Sequence, residues 1–413
     1  EIHHLDHPSL FTYFFFSSFY KVFNFFGFIS FNDLEGFLNS ENIELSLSKL
    51  FYISRLLIQI ISLLIIFLFY EISRKYSKNG LISFFLTAIF IFSIGFVSAS
   101  NRIESGLISL FFALLAFYFF IKFIENTNRK GLIYFSLTFL FIFSAMMQKK
   151  IIFFLFPFLY FSSIFLIKKN KIEYSKYNFF NKDKFYKYIL FTLYFIVLSF
   201  IIYKTLINNT FFLPRDLDFI FLTSNYFILN LSLFYFLKNF QNKNYTNLLT
   251  YNLIIGFTYI SYKFVLIYFF SAPIAVWSIS FTNFMGQLNM FANSQEIQGA
   301  HDFNNLSLYI KKLFINLIFV FNKYFFSYSF HSVLIWSLII LFFLNLKKTN
   351  QNEKISLIIT ILGFIIIQSI LLFRYEQDTY YLNSEILLLL ALALNLKFIK
   401  NLKLLITIFL IIF

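Results

Sequence analysis

Cysteine is missing from all 413 residues, which excludes a disulfide framework, a thiolate metal site and a cysteine nucleophile, and leaves the redox compartment unreadable. Charge is scarce as well: Asp, Glu, Lys and Arg make up 13% of the chain against 59% hydrophobic residues, and the mean hydropathy is +0.75. A soluble domain does not stay in solution with that balance, whereas a polytopic membrane protein requires it. No signal peptide opens the chain. Its first residue is Glu1 rather than Met and stands inside a polar cluster, so the sequence reads as a fragment of a longer protein. No G-x-S-x-G nucleophile elbow and no internal repeat occurs. What is abundant is phenylalanine, 70 residues of it, together with Ile, Asn, Lys and Tyr. That bias fits an AT-rich coding sequence, and the aromatics read as lipid-facing filler rather than as a ligand platform.

Apolar runs long enough to cross about 30 Å of hydrocarbon recur along the chain, and without strand-like alternation each reads as a helix. The expected spans are 50–70, 81–97, 106–121, 131–147, 151–167, 188–203, 219–237, 248–270, 333–346, 355–373 and 386–396, with a last one beginning near 404. The fold class expected is all-α, a polytopic transmembrane bundle of about 11–12 spans in one domain over 1–413. Within it, 1–49 forms a first outer loop with an interfacial helix over 10–30, and 271–330 forms a larger outer segment with interfacial stretches of its own.

Sorting the connections alternately onto two sides separates the charges. The segments 71–80, 122–130, 168–187, 238–247, 347–354 and 397–403 hold 21 of the 34 Lys and Arg but five of the 19 acids. The positive-inside rule makes that side cytoplasmic, so the net charge of +15 reports orientation and calls for no nucleic-acid partner. The acids collect on the other side, in "EIHHLDHP", "SNRIES", "LPRDLD" and "FRYEQD", together with the lysines of "QKK". These are short turns at the depth of lipid head groups. Lys149 and Lys150 run against the orientation rule, which fits pairing with a phosphate as well as snorkelling.

For His3, His4, Asp6 and His7 several chemistries stand side by side. A metal site is suggested by the spacing of His3 and His7 with Asp6 between, but Pro8 favours extended backbone and leaves the ligand geometry unset. A carboxylate acting as general base toward an acceptor hydroxyl, with nearby cations holding a leaving phosphate, needs an acid and bases on one face, as the loop sorting delivers. A solvated loop without chemistry is the plain alternative. Arg55 lies about one turn inside a span, where a charge is expected to face the protein interior and to pair, with Glu104 as a candidate partner, directly or through substrate. Glu104 beside Arg102 also reads as a local surface ion pair.

Four stretches, "LDHPSLFTYFF", "FYISRLLIQIISLLIIFLFYEISRKY", "SASNRIESGLISLFFALLAFYFFIKF" and "YEQDTYYLNSEILLLLALAL", follow one another in an order and spacing that resembles the GT-C superfamily. Within it the chain looks like the branch of protein O-mannosyltransferases and aminoarabinose transferases. The resemblance implies an inverting glycosyltransferase that takes a sugar from a polyprenyl-phosphate donor at the outer face of the membrane and passes it to a lipid, glycan or protein acceptor, with membrane lipids around it. It implies no cofactor and no metal, and it suggests a bacterial inner membrane with the active face periplasmic. Carried over by position, Asp6, His7 and Pro8 match the Asp-His-Pro element of the first outer loop. Arg55 matches the arginine at the outer end of the next span, Glu104 the acid of the second outer loop, and Lys149 a basic position after the fifth family helix. Asp6 and Glu104 are thus the catalytic candidates, and His7, Arg55, Arg102, Lys149 and Arg374 the candidates for substrate or phosphate. The chain departs from the pattern in two places. The family's first helix and acidic pair would precede residue 1, and the late "TYYLNS" lacks the family's Arg and Pro, leaving Arg374 as a displaced substitute. The rival functions are a transporter or flippase of lipid-linked glycans, an O-antigen polymerase or ligase, and an assembly subunit without chemistry.

Overall fold

A computed structural model describes residues 10–31, 34–40, 42–103, 105–126, 129–148, 155, 158–160, 162–163, 254–255, 257–258, 261, 306–326, 329–345, 347–371 and 381–398. Among these residues every element is a helix. The expected spans over 188–203 and 219–237, the last one near 404 and the basic loop 168–187 lie outside the described residues.

The first half of the chain builds α1 (Leu10–Phe25), a short α2 (Leu34–Leu38), α3 (Ile43–Ser77), α4 (Gly80–Ile91), α5 (Ile94–Ser100), α6 (Ser105–Glu125) and α7 (Arg129–Gln148). α3 begins where the Asn42 side chain accepts the Leu45 amide at 2.9 Å and ends where Lys78 turns into the left-handed region at φ 55°. The next residue, Asn79, caps α4 by accepting from the Leu81 amide, so the two helices form a hairpin with almost no connection. With 35 residues, α3 is about 52 Å long and outreaches the hydrocarbon layer at its ends. One stripe of it, Ser54, Ile58, Ile61, Ile65, Phe69 and Ile72, is buried at helical spacing. The other side exposes Phe51, Tyr52, Leu63, Leu64 and Phe67. A helix apolar on its inner and its outer face belongs in lipid.

The expected span 81–97 is broken. α4 and α5 meet at 60°, because Ser93 interrupts the helix and its hydroxyl accepts the Phe96 amide at 3.3 Å as a new N-cap. α6 and α7 match the expected 106–121 and 131–147 and pair closely, with Phe119 stacked on Phe141 at 5.5 Å and the Ser109 hydroxyl donating to the Ala145 carbonyl at 2.9 Å. α1 falls in the stretch expected to be interfacial and packs on this group: Phe15 stacks on Phe112 at 6.0 Å, and Tyr20 bonds Ser54.

The second half supplies α8 (Leu306–Phe326), α9 (Phe330–Asn345), α10 (Gln351–Leu371) and α11 (Tyr381–Leu396). α11 is the central column: all 16 of its residues are buried, between α3, α4, α5, α9 and α10. Three described helices are long and apolar enough to cross a membrane, or five if each bent pair, α4 with α5 and α8 with α9, counts as one span. The chain is an integral membrane protein, and its described residues form an all-helical bundle.

One end of the bundle is sealed by polar contacts. Lys75 at the end of α3 donates to both Glu125 oxygens, at 2.7 and 2.9 Å, and Lys397 pairs with Glu353. Asn345 donates to the Asn395 carbonyl at 3.1 Å. Ser162 joins the two halves, its hydroxyl 2.9 Å from Tyr76 and its carbonyl accepting from Ser356 at 3.0 Å. The described parts of the segments 71–80, 122–130, 347–354 and 397–403, grouped on one side by charge, therefore meet at one end.

Candidate functional site

At depth in the bundle, Glu385 and His331 face each other with both side chains buried, 0% and 2% exposed. His331 Nε2 lies 2.8 Å from Glu385 Oε1, a contact that requires one proton between the two atoms. The Gly95 amide donates to the same oxygen at 3.1 Å. That amide belongs to the first turn of α5, where a helix leaves its N–H groups unpaired, and it exists there because Ser93 broke the span. Among the described residues Glu385 Oε2 has no hydrogen-bond partner, and neither has Asn383 Oδ1.

Gly95 is a requirement of the packing. A Cβ at that position would stand 2.4 Å from the Leu382 nitrogen and 2.6 Å from Glu385 Oε2, so only glycine lets α5 approach α11 this closely. The imidazole is held on its other sides by rings: Tyr381 at 4.6 Å, Tyr324 at 5.4 Å and Phe364 at 5.9 Å between centroids. Lys323 Nζ donates to Tyr381 Oη at 3.3 Å, and the Gln368 amide donates to Ser384. Both bent helix pairs thus deliver a group to one carboxylate, α5 its amide and α9 its histidine.

The depth of this junction follows from helix geometry. Glu385 stands twelve residues before Lys397, about 18 Å, and His331 fourteen before Asn345, about 21 Å. Both lie inside a hydrocarbon layer of about 30 Å measured from the sealed end. An ionisable pair there is costly unless it is paired or used, which makes it the first candidate for function among the described residues.

The residues singled out by sequence fare differently. Arg55 corrects an expectation: it is exposed on α3, and among the described residues it makes no hydrogen bond or ion pair. The physical reason is register, since the inward stripe of α3 runs through Ser54 and Ile58 and leaves residue 55 on the outer face. It stands twenty residues before Lys75, about 30 Å, and so at the far hydrocarbon boundary, where a guanidinium reaches head groups instead of an interior partner. Arg102 is exposed in the turn after α5. Asp6, His7, Glu104, Lys149 and Arg374 lie outside the described residues, as do His3, His4, Pro8 and Lys150. No cluster of three or more metal-ligating side chains occurs among the described residues.

His331, Glu385 and Lys323 escaped the sequence reading. Their signal was present, because an ionisable residue next to an apolar run marks a site. The expected spans began at 333 and 386, just past His331 and Glu385, and so assigned both residues to loops. No family model matches the chain, and no curated protein and no solved structure matches it.

Proposed function

We propose that this membrane protein is an inverting glycosyltransferase that moves a sugar from a polyprenyl-phosphate donor to an acceptor at the outer face of the membrane, built on a GT-C-like bundle. One observation supports the reading above all: the polar groups are unevenly placed along the bundle. One end is closed by Lys75–Glu125 and Lys397–Glu353, while Arg55, Arg102, Lys323 and the His331–Glu385 junction stand away from it, toward the opposite end. A donor anchored in that leaflet needs cations there, and Arg55, Arg102 and Lys323 supply them apart from the basic connections of the closed end.

In this reading the acceptor hydroxyl attacks the anomeric carbon from the face opposite the phosphate. The bond from that carbon to the phosphate oxygen breaks, and the polyprenyl phosphate leaves with the electron pair. A carboxylate, Asp6, takes the hydroxyl proton, with Glu104 as the second catalytic candidate. His7, Arg55, Arg102, Lys149 and Arg374 hold the phosphate, and stabilising charge on the leaving group in this way supplies most of the rate. The outward position of Arg55 suits a phosphate carried by a lipid better than it suits an interior ion pair. The membrane proposed is a bacterial inner membrane with the site on its periplasmic side.

A second reading, a transporter or flippase of lipid-linked glycans, is favoured by a different observation. His331 and Glu385 lie at membrane depth where two broken helix pairs meet, the place such proteins use for binding and coupling. Vesicles carrying the full-length protein and a radiolabelled polyprenyl-phosphate sugar separate the two. Cleavage of the sugar–phosphate bond, lost in Asp6→Asn and weakened in Arg55→Ala, supports transfer; movement of the intact lipid between leaflets without cleavage overturns it.

A further inference from the structure

We infer that α8 lies in the plane of the membrane, immersed at the boundary of the leaflet away from the sealed end, and that its exposed face binds the acyl chains and head groups there. The inference rests on the protein being in a membrane and is independent of glycosyl transfer. α8 meets α9 at 78°, and hydrogen bonds hold that angle. Ser329 caps α9, its hydroxyl accepting the Ser332 amide at 3.1 Å and its carbonyl accepting the Val333 amide at 3.1 Å. The last carbonyls of α8 are met from α9: Trp336 Nε1 donates to the Phe325 oxygen at 2.8 Å, and the Ser332 hydroxyl reaches the Lys323 oxygen at 3.5 Å. Terminal carbonyls left bare in hydrocarbon are costly, so this corner is a built one.

The depth agrees. Phe330 at the corner is fifteen residues, about 22 Å, along α9 from Asn345 and the sealed end, roughly 8 Å short of the far side of a layer about 30 Å thick. In-plane helices sit about 5–10 Å below the head-group boundary. The faces agree as well. Asn316, Val320 and Tyr324, at helical spacing, are buried, and Asn316 donates to the Ser369 carbonyl of α10 at 3.1 Å. Phe314, Ile318 and Phe321 form the adjoining exposed stripe, the first two 61% exposed each. Lys311 and Asn322 follow next around the helix and are also exposed, with Ile315, Phe319 and Phe326 beyond them. The helix is thus buried along one stripe and apolar on both flanks of a narrow polar line opposite that stripe, as a helix immersed beside the protein at the hydrocarbon boundary should be. Trp336 at the corner is 44% exposed, as expected of an indole anchored at an interface.

The chain carries no cysteine, so single cysteines at Phe314, Ile318, Phe321, Asn322 and Phe326 can be labelled with a nitroxide in the full-length protein in phosphatidylcholine vesicles. Collision with oxygen against collision with a water-soluble nickel chelate then measures depth. Positions 314, 318, 321 and 322 are expected within about 4 Å of one depth, because a helix in the plane varies only by its own radius of about 2.3 Å at Cα. Trp336→Phe, which removes the bond to Phe325, should widen that spread. A steady change of about 18 Å from 314 to 326, at 1.5 Å per residue, would mean that α8 spans the membrane. Absence of oxygen contact at 314, 318 and 321 would mean that protein covers the face. Either result overturns the inference.

Discussion

Replacing Gly95 by alanine should be far more damaging than adding one methyl group to an apolar helix suggests. In a helix, alanine is favoured over glycine by about 1 kcal/mol, so propensity alone would stabilise the variant. Packing opposes it. The new methyl would lie 2.4 Å from the Leu382 nitrogen, 2.7 Å from the Leu382 Cα and 2.6 Å from Glu385 Oε2, and two of these neighbours are backbone that no rotamer change can move. α5 and α11 must separate by about 1 Å to restore ordinary contact, an overpacking cost of about 1–3 kcal/mol. That shift also stretches the 3.1 Å bond from the Gly95 amide to Glu385. A buried acceptor that loses its donor costs about 1–3 kcal/mol, more if charged. The net expectation is a loss of roughly 2–4 kcal/mol, a rise of about 30- to 1,000-fold in the unfolding constant. Gly363→Ala is the control. Its methyl would meet Phe158 Cγ at 2.6 Å and Leu387 Cδ1 at 2.9 Å, side chains able to give way, and should lose about 1–2 kcal/mol less. Equilibrium unfolding in mixed detergent and SDS micelles reads both. If Gly95→Ala is as stable as the parent, or Gly363→Ala is the worse of the two, the close approach of α5 to the carboxylate is wrong.

At the same junction, Glu385→Ala should cost about 3–5 kcal/mol by leaving His331 and the Gly95 amide unpaired, whereas Glu385→Gln keeps the shape and should cost less; a double-mutant cycle with His331→Ala that shows no coupling would remove the pair. Of the two end ion pairs, Lys397–Glu353 is the more enclosed, with side chains 11% and 16% exposed against 35% and 30% for Lys75–Glu125. Glu353→Ala should therefore destabilise more than Glu125→Ala, whose exposed pair contributes under about 1 kcal/mol, and the unfolding midpoints of the two variants test the order. Cysteines at Lys78 and Lys348 should be labelled by an impermeant reagent from one side of sealed vesicles and a cysteine at Asn101 from the other; labelling of all three from one side would break the topology.

Much of the bundle was legible because membrane helices announce themselves. The runs 106–121, 131–147, 333–346, 355–373 and 386–396 correspond to α6, α7, α9, α10 and α11, since in lipid the chain must pair its own backbone and a long apolar run has one way to do so. Charge asymmetry likewise foretold which connections share an end, and Lys75–Glu125 and Lys397–Glu353 join segments grouped by that rule. The break inside 81–97 was not legible, because a serine capping a helix and a serine riding in one look alike until the chain beyond it turns.

Composition and hydropathy alone thus determined the solvent, the helical class and the sharing of ends, all properties that sum over many residues and tolerate error at any one. Only tertiary structure decided that Arg55 faces outward while Glu385 faces in, for a helix turns by 100° per residue and a single step in register exchanges lipid for core. It alone brought Gly95, His331 and Glu385 together, because contacts across 290 and 54 residues of chain depend on which helices pack, and no local pattern carries that information.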